Sequence, residues 1–315
     1  MLYLFHNKRK KCLLLIFYKI YYNYIRRGLN IKGNIMKNIM VILNYNDYKT
    51  TINYLKTIKN YKSLDCIIVV DNNSSDDSYE KLKKIENKKI IVLKASKNGG
   101  YGYGNNIGIK FAIKKYKKCN IIISNPDIEV KDDTIKQMSE YLSNNSNVAI
   151  VSPVIKEHGT LNRGWKASNG YKEMLLSVPV LGRKFRNRII GYPSSHYKKN
   201  KSSVDVVSGC FFMIKSDVFK KINYFDENIF LYYEENVICN KIKNLNYDII
   251  ILNKCNVIHN HSVSINKSYN GLGKYRILKK SQMYYLNNYA KCNYLSKQLI
   301  KLFSKIMIKK YGGRK

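Results

Sequence analysis

The segment IIISNPDIEV, residues 121–130, decides how the fold of this chain is interpreted. Its first four residues predict a buried strand, because β-branched apolar residues are typical of strands in a sheet core. The pattern stops at Asn125-Pro126-Asp127, where the proline fixes the local backbone and cannot donate a hydrogen bond. We therefore expect a carboxylate at the end of a core strand. That place suits a hard divalent cation, and the alternative is an aspartate in a turn before the next helix.

Strands of the same kind recur on both sides of this segment. Between residues 39 and 155, apolar strand patterns alternate with helical patterns, which favours a mostly parallel sheet with helices on both faces. The predicted strands are Ile39–Leu43, Cys66–Val70, Ile90–Leu93, Ile121–Ser124 and Val148–Val151, and the predicted helices span 47–60, 77–86, 104–117 and 132–142.

Polar residues follow three of these strands directly, as Asn44-Tyr45-Asn46, Asp71-Asn72-Asn73 and Asn125-Pro126-Asp127. Ligands of open α/β sheets bind at the carboxyl ends of the strands. The sequence therefore predicts a ligand site at this edge. Asp71 is also a suitable cap for the next helix, so by itself it leaves both readings open.

The second half of the chain is less regular. Residues 156–203 are rich in Gly, Ser, Lys and Arg and contain the single tryptophan, Trp165, which predicts a long insertion or substrate loop. The segment VDVVSGCFFMIKSDVFKKI, residues 204–222, predicts a strand and then a short helix. A further helix begins near Glu234-Glu235, and an apolar strand follows at Ile249–Leu252.

The chain has 57 basic and 21 acidic residues, a formal net charge of +36, and its 45% hydrophobic content suffices for a large core. The charge reflects either a lysine-rich composition or attraction to nucleic acid, anionic lipid or a phosphorylated substrate. The sequence contains no zinc-finger spacing and no aromatic RNA-binding segment, so no nucleic-acid partner is expected. Seven scattered cysteines without a C-x-x-C pair indicate a reducing compartment.

The two ends of the chain differ from the middle. Residues 1–35 are interpreted as a basic extension, either the product of an early start codon or an amphipathic helix on a membrane, and residues 36–270 as the folded domain. Residues 271–315 form a basic helical tail, with an apolar face made of Leu295, Leu299, Leu302, Phe303 and Ile306. This tail either contacts a membrane surface or packs on the domain.

Three further features are ambiguous on local grounds. The pair Glu234-Glu235 suits a general base, but acidic residues are favourable at any helix start. His259 and His261 follow an apolar strand, where surface placement is the default. The segment GGYGYGNNIG, residues 99–108, permits close backbone approach to a ligand or forms a flexible loop, and it matches neither G-x-G-x-x-G nor a Walker loop.

Taken in order, seven motifs resemble the family 2 glycosyltransferases with a GT-A fold, in particular their rhamnosyltransferase-like branch in bacterial polysaccharide assembly. The motifs span residues 39–264 and are VILNYN, IIVVDNNSSDDS, NGGYGYGNNIGI, SNPDIEV, VDVVSGCFFMIK, FDENIFLYYEENVIC and VIHNHSVS. Each is short, and their order and spacing make the resemblance specific.

The resemblance implies a site for an activated sugar. Asp71 falls at the aspartate that faces uracil or thymine, and Asp127 at the aspartate that holds Mg²⁺ or Mn²⁺ against the donor diphosphate. His259 falls at a histidine that approaches this metal in related enzymes. The implied donor-binding residues are Asn44, Tyr45, Asn46, Asp71, Asn73, Asn98, Gly100, Asn106 and Asn125.

The resemblance also implies the catalytic base. The family has a Glu-Asp pair, which here reads Glu234-Glu235, and we expect Glu235 to be the base, with Glu234 as the alternative. The family commonly has another acidic residue two positions later, where this chain has Val237. That departure keeps open a non-catalytic, sugar-nucleotide-binding relative as a second interpretation.

The expected activity is inverting transfer of rhamnose or a similar hexose from a dTDP- or UDP-linked donor to a glycan acceptor that is lipid-linked. The resemblance places such an enzyme in the cytoplasm, at the inner face of the cell membrane.

Overall fold

The first half of the sheet is parallel, as the sequence predicts. The structure, a computed structural model, describes residues 36–260 and 271–312. The strand order here is β3-β2-β1-β4, with β1 between β2 and β4. The elements in chain order are β1 Lys37–Asn44, α1 Tyr48–Ile58, β2 Cys66–Asp71, α2 Ser78–Lys83, β3 Ile90–Lys94, α3 Tyr101–Tyr116 and β4 Cys119–Ser124.

The second half begins with β5 and ends in two long helices. Its elements are β5 Ile128–Glu129, α4 Asp132–Asn144, β6 Val148–Glu157, β7 Thr160–Asn162, α5 Gly170–Ser177, α6 Leu181–Lys184, α7 Arg186–Ile190, a 3₁₀ turn Ser194–Tyr197, β8 Lys201–Ser203, β9 Phe211–Lys215, α8 Ser216–Lys221, α9 Glu234–Asn244, β10 Asp248–His259, α10 Gly271–Asn288 and α11 Tyr294–Gly312.

These later strands extend the sheet in the order β4-β9-β6-β10-β5. Strand β9 is antiparallel to both β4 and β6, whereas β6 and β10 are parallel to each other. The short β5 pairs antiparallel with the end of β10. The sheet is therefore mixed and mostly parallel, with the antiparallel β9 in its centre.

Both faces of the sheet are buried, which confirms the expected layering. Alternate residues of β1 point to opposite sides, so that Ile39 and Val41 pack with Ile109 of α3, while Met40 and Ile42 pack with Leu55 of α1. A strand that is buried on both faces requires an apolar residue at every position, and this explains the continuous apolar runs in the sequence.

The region 156–203 is not the loop that the sequence predicts. The structure places β7, three short helices, a 3₁₀ turn and β8 there, and β6 extends to Glu157. The strand expected from residue 204 onward spans only Phe211–Lys215. In the segment before it, Val206 makes only an isolated bridge to Trp165. Elements of three to eight residues are too short to show a clear hydrophobic period, so composition alone suggested a loop.

The glycine-rich segment does not form a flexible loop either. Helix α3 begins at Tyr101, inside the segment, and a Cβ on Gly108 would lie 2.6 Å from a methyl carbon of Val41. A Cβ on Gly104 would lie 2.3 Å from Leu43. These glycines let α3 pack closely on β1. Their close backbone approach is to the sheet of the protein itself.

We expect Gly100→Ala to lower the free energy of unfolding by about 2–4 kcal/mol. Gly100 has φ +92° and its added Cβ would lie 2.2 Å from the carbonyl oxygen of Phe230. Gly159→Ala is the matched control, because Gly159 has φ +75° with open space around it, and it should cost only about 1 kcal/mol. Denaturant unfolding measures both, and equal losses would contradict the argument from close approach.

The C-terminal helices pack on the domain. Tyr285, Leu286 and Ile300 are buried with Ile229 and Val237 in a small separate cluster. The apolar face predicted for the tail, by contrast, points outward: Leu295 is 66% exposed and Leu302 51%. No helix among the described residues is long and apolar enough to span a bilayer. The extension 1–35, the domain end at 270, His261 and residues 313–315 lie outside the described residues.

Candidate active site

Asp71 and its neighbours lie at the carboxyl edge of the sheet, where β1, β2 and β4 end. Asn44 pairs with Asp71 in the β1–β2 register and donates from Nδ2 to Asp71 Oδ2 at 3.0 Å. Ser74 donates to the same carboxylate through its backbone N at 3.0 Å and its hydroxyl at 2.6 Å. The Asp71 side chain is fully buried, and three donors hold it in one orientation.

Asn46 and Asn98 bond to residues that follow Asp71 in the chain. Asn46, with φ 52°, bonds through its backbone to Ser74 and through its side chain to Ser75. Asn98 accepts a hydrogen bond from Asn72 Nδ2 at 2.9 Å. The Gly100 carbonyl accepts a second, longer hydrogen bond from Asn72 Nδ2, at 3.2 Å.

Three other predicted donor-binding residues differ in their exposure. Tyr45 is partly exposed and Asn73 is exposed, and both lie just beyond the ends of their strands. Asn106 is buried inside α3, where it donates to the Phe225 carbonyl at 3.0 Å and accepts from the Phe225 amide at 3.0 Å. The Asn106 amide thus holds the segment that leads to Glu234, and a direct donor contact stays a prediction.

Asp127 lies beside His259, because β5 and β10 bring them together. His259 pairs with Ile128, the residue after Asp127, and its Nε2 lies 3.2 Å from Asp127 Oδ1. The backbone adds a bond from the Asn260 amide to the Asp127 carbonyl at 3.0 Å. His259 is only 6% exposed, so the default of surface placement is wrong.

Glu157 completes this group from the other side of the histidine. The β6–β10 register pairs Lys156 with Ile258, and Glu157 Oε1 lies 2.7 Å from His259 Nδ1. Burial lowers the pKa of His259, but hydrogen bonds with its acidic neighbours outweigh burial and raise that pKa to about 12. Ligand atoms of Glu157, Cys210 and His259 lie within 4.8 Å of one another.

These side chains would fit a divalent cation that displaces the proton from His259 Nε2, since a metal-ligating nitrogen must be deprotonated. A carboxylate and an imidazole nitrogen converge at Asp127 and His259, and a metal-bound histidine commonly gives its second ring nitrogen to a carboxylate, as His259 gives Nδ1 to Glu157. The Asp127 carboxylate suits Mg²⁺ or Mn²⁺, and the histidine favours the softer Mn²⁺.

The Glu234-Glu235 pair begins α9 after a strained turn. Tyr232 and Tyr233 have φ values of 70° and 72°, in the left-handed region that tyrosine rarely adopts. Glu234 is 6% exposed, whereas Glu235 is partly exposed. Burial and then the neighbouring Glu235 raise the pKa of Glu234. Burial also raises the pKa of Glu235, against the attraction of Arg186.

Tyr101 connects the glutamate pair with the metal side. Its hydroxyl donates to the Gly209 carbonyl at 2.8 Å and lies 3.2 Å from Asn125 Oδ1. A Cβ built on Gly209 would lie 3.7 Å from Glu235 Oε2, and the carbonyl of the next residue, Cys210, accepts the Asn125 amide at 2.8 Å. The predicted base and the segment that carries Asp127 thus meet the same short turn.

A buried carboxylate, Glu173 of α5, supports the turn before the Glu234-Glu235 pair. It is 2% exposed and accepts from the Tyr233 hydroxyl at 2.6 Å and from Gln282 Nε2 at 2.6 Å. The Ser168 hydroxyl is a third partner. Because Tyr233 directly precedes the pair, the region 156–203 and α10 together hold the base segment.

We expect Tyr233→Phe to lower turnover by about tenfold while donor affinity persists, since small displacements of a reacting group are costly. Unfolding free energy should fall by about 1–3 kcal/mol, because Glu173 loses a buried partner. Tyr285→Phe is the control: it removes a bond to the Ser168 carbonyl from a ring packed on Tyr233. Equal turnover in the two variants would exclude a positioning role for Tyr233.

Val237, where the family commonly has an acid, is 1% exposed and belongs to the cluster of Ile229, Tyr285, Leu286 and Ile300. An acid at this position would be buried among apolar side chains of the C-terminal helices. Packing therefore gives a physical reason for valine here.

The family described as Glycosyl transferase family 2 matches residues 39–223, more than half of the chain. The chain belongs to glycosyl transferase family 2. The match begins at β1 and ends just after α8, so it includes Asp71 and Asp127, while the glutamate pair lies beyond it.

Two curated relatives of this family 2 chain are sugar transferases according to their names. It is 28% identical over 224 residues to a low-salt glycan biosynthesis hexosyltransferase of Haloferax volcanii, covering 71% of this chain and 67% of the relative. It is 26% identical over 232 residues to the dTDP-rhamnosyl transferase RfbF of Shigella flexneri, covering 66% of each chain. The chain thus spans about two thirds of the relatives' length. Family and relatives support sugar transfer in polysaccharide synthesis.

Solved structures show the same GT-A fold. The chain aligns to GalNAc-T7, solved with UDP, GalNAc and Mn²⁺, with TM-score 0.55 and 18% identity over 74% of this chain and 45% of that one. It aligns to a mannosyltransferase of Pyrobaculum calidifontis, solved with GDP-Man and Mn²⁺, with TM-score 0.55 and 12% identity over 92% and 76% of the two chains.

Sequence reasoning missed several members of the site. Glu157 ends a strand that was expected to stop at Val151, so its pairing with His259 became visible only in the β6–β10 register. Glu173 lies in a region interpreted as a loop. For Cys210 and Tyr101 the sequence did offer one signal of a place in the site, because both lie in motifs that resemble the family.

Proposed function

We propose that this family 2 glycosyltransferase transfers rhamnose or a similar hexose, with inversion, from a dTDP- or UDP-linked donor to a lipid-linked glycan. The observation that supports it is the shared turn at Gly209–Cys210, which Glu235 approaches from one side and Asn125 from the other. The name of the Shigella relative favours dTDP-rhamnose among donors.

In the proposed reaction, Glu235 accepts the proton from an acceptor hydroxyl. The oxygen forms a bond to the anomeric carbon from the face opposite the leaving group, and the bond from that carbon to the diphosphate oxygen breaks. The nucleoside diphosphate leaves with the electron pair, and the proton stays on Glu235. Oxocarbenium character in the transition state is expected, as in glycoside hydrolysis.

Asp127 and His259 would hold Mg²⁺ or Mn²⁺, and Glu157 orients the histidine ring. When bound, the cation would neutralise negative charge on the leaving diphosphate. Asp71 would accept the N3–H that uracil and thymine share, through the acceptor position of its carboxylate that Asn44 and Ser74 do not use. Uracil and thymine make this contact equally well, so the contact does not distinguish UDP-linked from dTDP-linked donors.

Arg186 of α7 lies in the region 156–203, which we propose as the acceptor-binding region. Its guanidinium lies 5.6 Å from the Trp165 ring centre and its charge acts on Glu235. A planar cation and an aromatic face beside the base suit a sugar acceptor. We therefore propose that the acceptor binds to the surface that Trp165 and Arg186 form.

We propose that the protein works in the cytoplasm at the inner face of the cell membrane. The support is the outward apolar face of α11, whose neighbours include Lys301, Lys305 and Lys309. Such a surface fits peripheral contact with anionic lipid.

The test of the proposed function is release of nucleotide from a panel of dTDP- and UDP-sugars, with and without Mg²⁺ or Mn²⁺ and with a polyprenyl diphosphate-linked glycan as acceptor. Metal-dependent release that requires the acceptor supports it. Donor binding without release at any metal concentration would support the non-catalytic interpretation instead.

We expect the rate to rise with pH and the midpoint of this rise to lie above 4.5, the ordinary value for a glutamate. Burial raises the pKa of Glu235, and the base acts only when deprotonated, so activity is lost as pH falls through the raised pKa. The profile of kcat/KM against pH measures this. A midpoint at or below 4.5 would remove Glu235 as the titrating base.

A further inference from the structure

A cavity of about 690 Å³ lies beside the C-terminal helices, and none of its lining residues belongs to the Gly209–Cys210 turn. It is formed by residues 176–180, at the end of α5 and in the link to α6, by Arg183 and Lys184 of α6, and by residues of α10 and α11. Val178, Val180, Leu278 and Met307 contribute apolar side chains to its wall. Nothing in the proposed transfer reaction uses this cavity.

The same cavity carries four cations, Arg183, Lys184, Lys279 and Lys310, and none of its twelve described lining residues is acidic. Lys279 donates to Gln282 Oε1 at 2.8 Å and to the Ser177 hydroxyl at 3.1 Å, which are neutral acceptors. Burial, opposed by the charge of Glu173, lowers the pKa of Lys279 to about 8. An apolar wall with a concentrated positive charge complements an anionic head joined to an apolar chain.

Large apolar residues are exposed on the elements that form this cavity. Val180 is 69% exposed and Leu181 52%, both at the start of α6, while Leu302 is 51% and Ile306 48% exposed on α11. Apolar residues with interspersed lysines and arginines are typical of elements that lie in the headgroup region of a bilayer.

We propose that this cavity binds the phosphate headgroup of an anionic membrane lipid. The four cations contact the phosphate, and the apolar wall contacts the first carbons of the lipid chain. This inference deepens the proposed membrane contact and rests on it, since it assigns that contact to one site rather than to diffuse charge. Lipid binding is measured without sugar transfer, so the two proposals fail separately.

The test uses sedimentation of the full chain with vesicles of phosphatidylcholine, alone or mixed with phosphatidic acid. The charge variant is Arg183→Glu/Lys310→Glu, and its matched control is Lys56→Glu/Lys59→Glu, with the same net charge change on exposed residues at the end of α1, outside both the cavity and α11. A charge-neutral variant, Leu278→Trp, fills the cavity. Thermal unfolding and binding of nucleotide donor verify that each variant is folded.

We expect binding only to the vesicles with phosphatidic acid. The cavity pair should lose at least about 25-fold in vesicle affinity, at about fivefold per cation removed from an anionic surface, and several-fold more than the control pair. Leu278→Trp should also weaken binding. A short-chain phosphatidic acid below its micelle concentration should compete, whereas inorganic phosphate at equal concentration should not.

Three results would overturn the proposal. Equal losses in the two charge pairs would mean diffuse attraction, and full binding by Leu278→Trp would mean that the cavity is not used. Competition by inorganic phosphate as strong as by the short-chain lipid would mean a simple anion site without an apolar component.

Discussion

Glu235→Gln should lower turnover by about 10²–10⁴-fold, the usual contribution of a general base, while the donor still binds. The amide keeps the size of the carboxylate but cannot accept the acceptor proton. Glu235 is the partly exposed member of the pair and lies against Gly209, whereas Glu234 is buried. Single-turnover rates at saturating donor separate the chemical step from binding.

The control for this prediction is Glu234→Gln. It preserves the turn and removes a neighbouring carboxyl whose pKa is raised by burial, so the loss of turnover should be much smaller. If Glu234→Gln lost more activity than Glu235→Gln, the base would be Glu234. Full activity in both variants would contradict the reaction proposed here.

Asp127→Asn should abolish the metal dependence of donor binding, with a loss of about 10²-fold or more in donor affinity at saturating Mn²⁺, because a metal clamp supplies several kcal/mol. The Asp127 carboxylate lies 3.2 Å from His259 Nε2, and Glu157 holds the opposite ring nitrogen. Calorimetry of donor binding with and without Mn²⁺ measures the loss, and Mn²⁺ binding to the free protein provides a readout independent of activity.

Glu129→Gln is the matched control for Asp127→Asn. Glu129 lies two residues after Asp127, in the short strand β5, and its exposed carboxylate accepts from Asn260 Nδ2. Its substitution should leave metal-dependent affinity unchanged. If Asp127→Asn bound the donor as tightly as the wild type at all Mn²⁺ concentrations, Asp127 would not be a metal ligand.

The parallel half of the sheet was predictable because each of its strands is buried on both faces. Ile39–Leu43 and Cys66–Val70 were placed to within two residues of β1 and β2, since an apolar residue is required at every position. The polar residues after these strands were predictable for the same reason. A change from apolar to polar marks the point where a buried strand reaches the edge of the sheet.

The later elements could not be predicted in this way. Strand β10 runs to His259 instead of stopping at Leu252, and its register shifts between Leu252 and Asn256. Such an irregularity interrupts the alternation on which strand prediction depends. The orientation of the apolar face of α11 could not be predicted either. A hydrophobic period shows that one face of a helix is apolar, but it does not show which surface that face meets.

Local burial patterns along single segments were enough to predict the layered sheet, the edge that carries Asp71 and Asp127, and the glutamate pair at the start of a helix. Three contacts became visible only in the folded chain: His259 lies between Asp127 and Glu157, Glu173 binds Tyr233 in the turn before Glu235, and the Gly209–Cys210 turn meets both Glu235 and Asn125. These contacts depend on strand register and on packing between residues far apart in the chain, which no local pattern encodes.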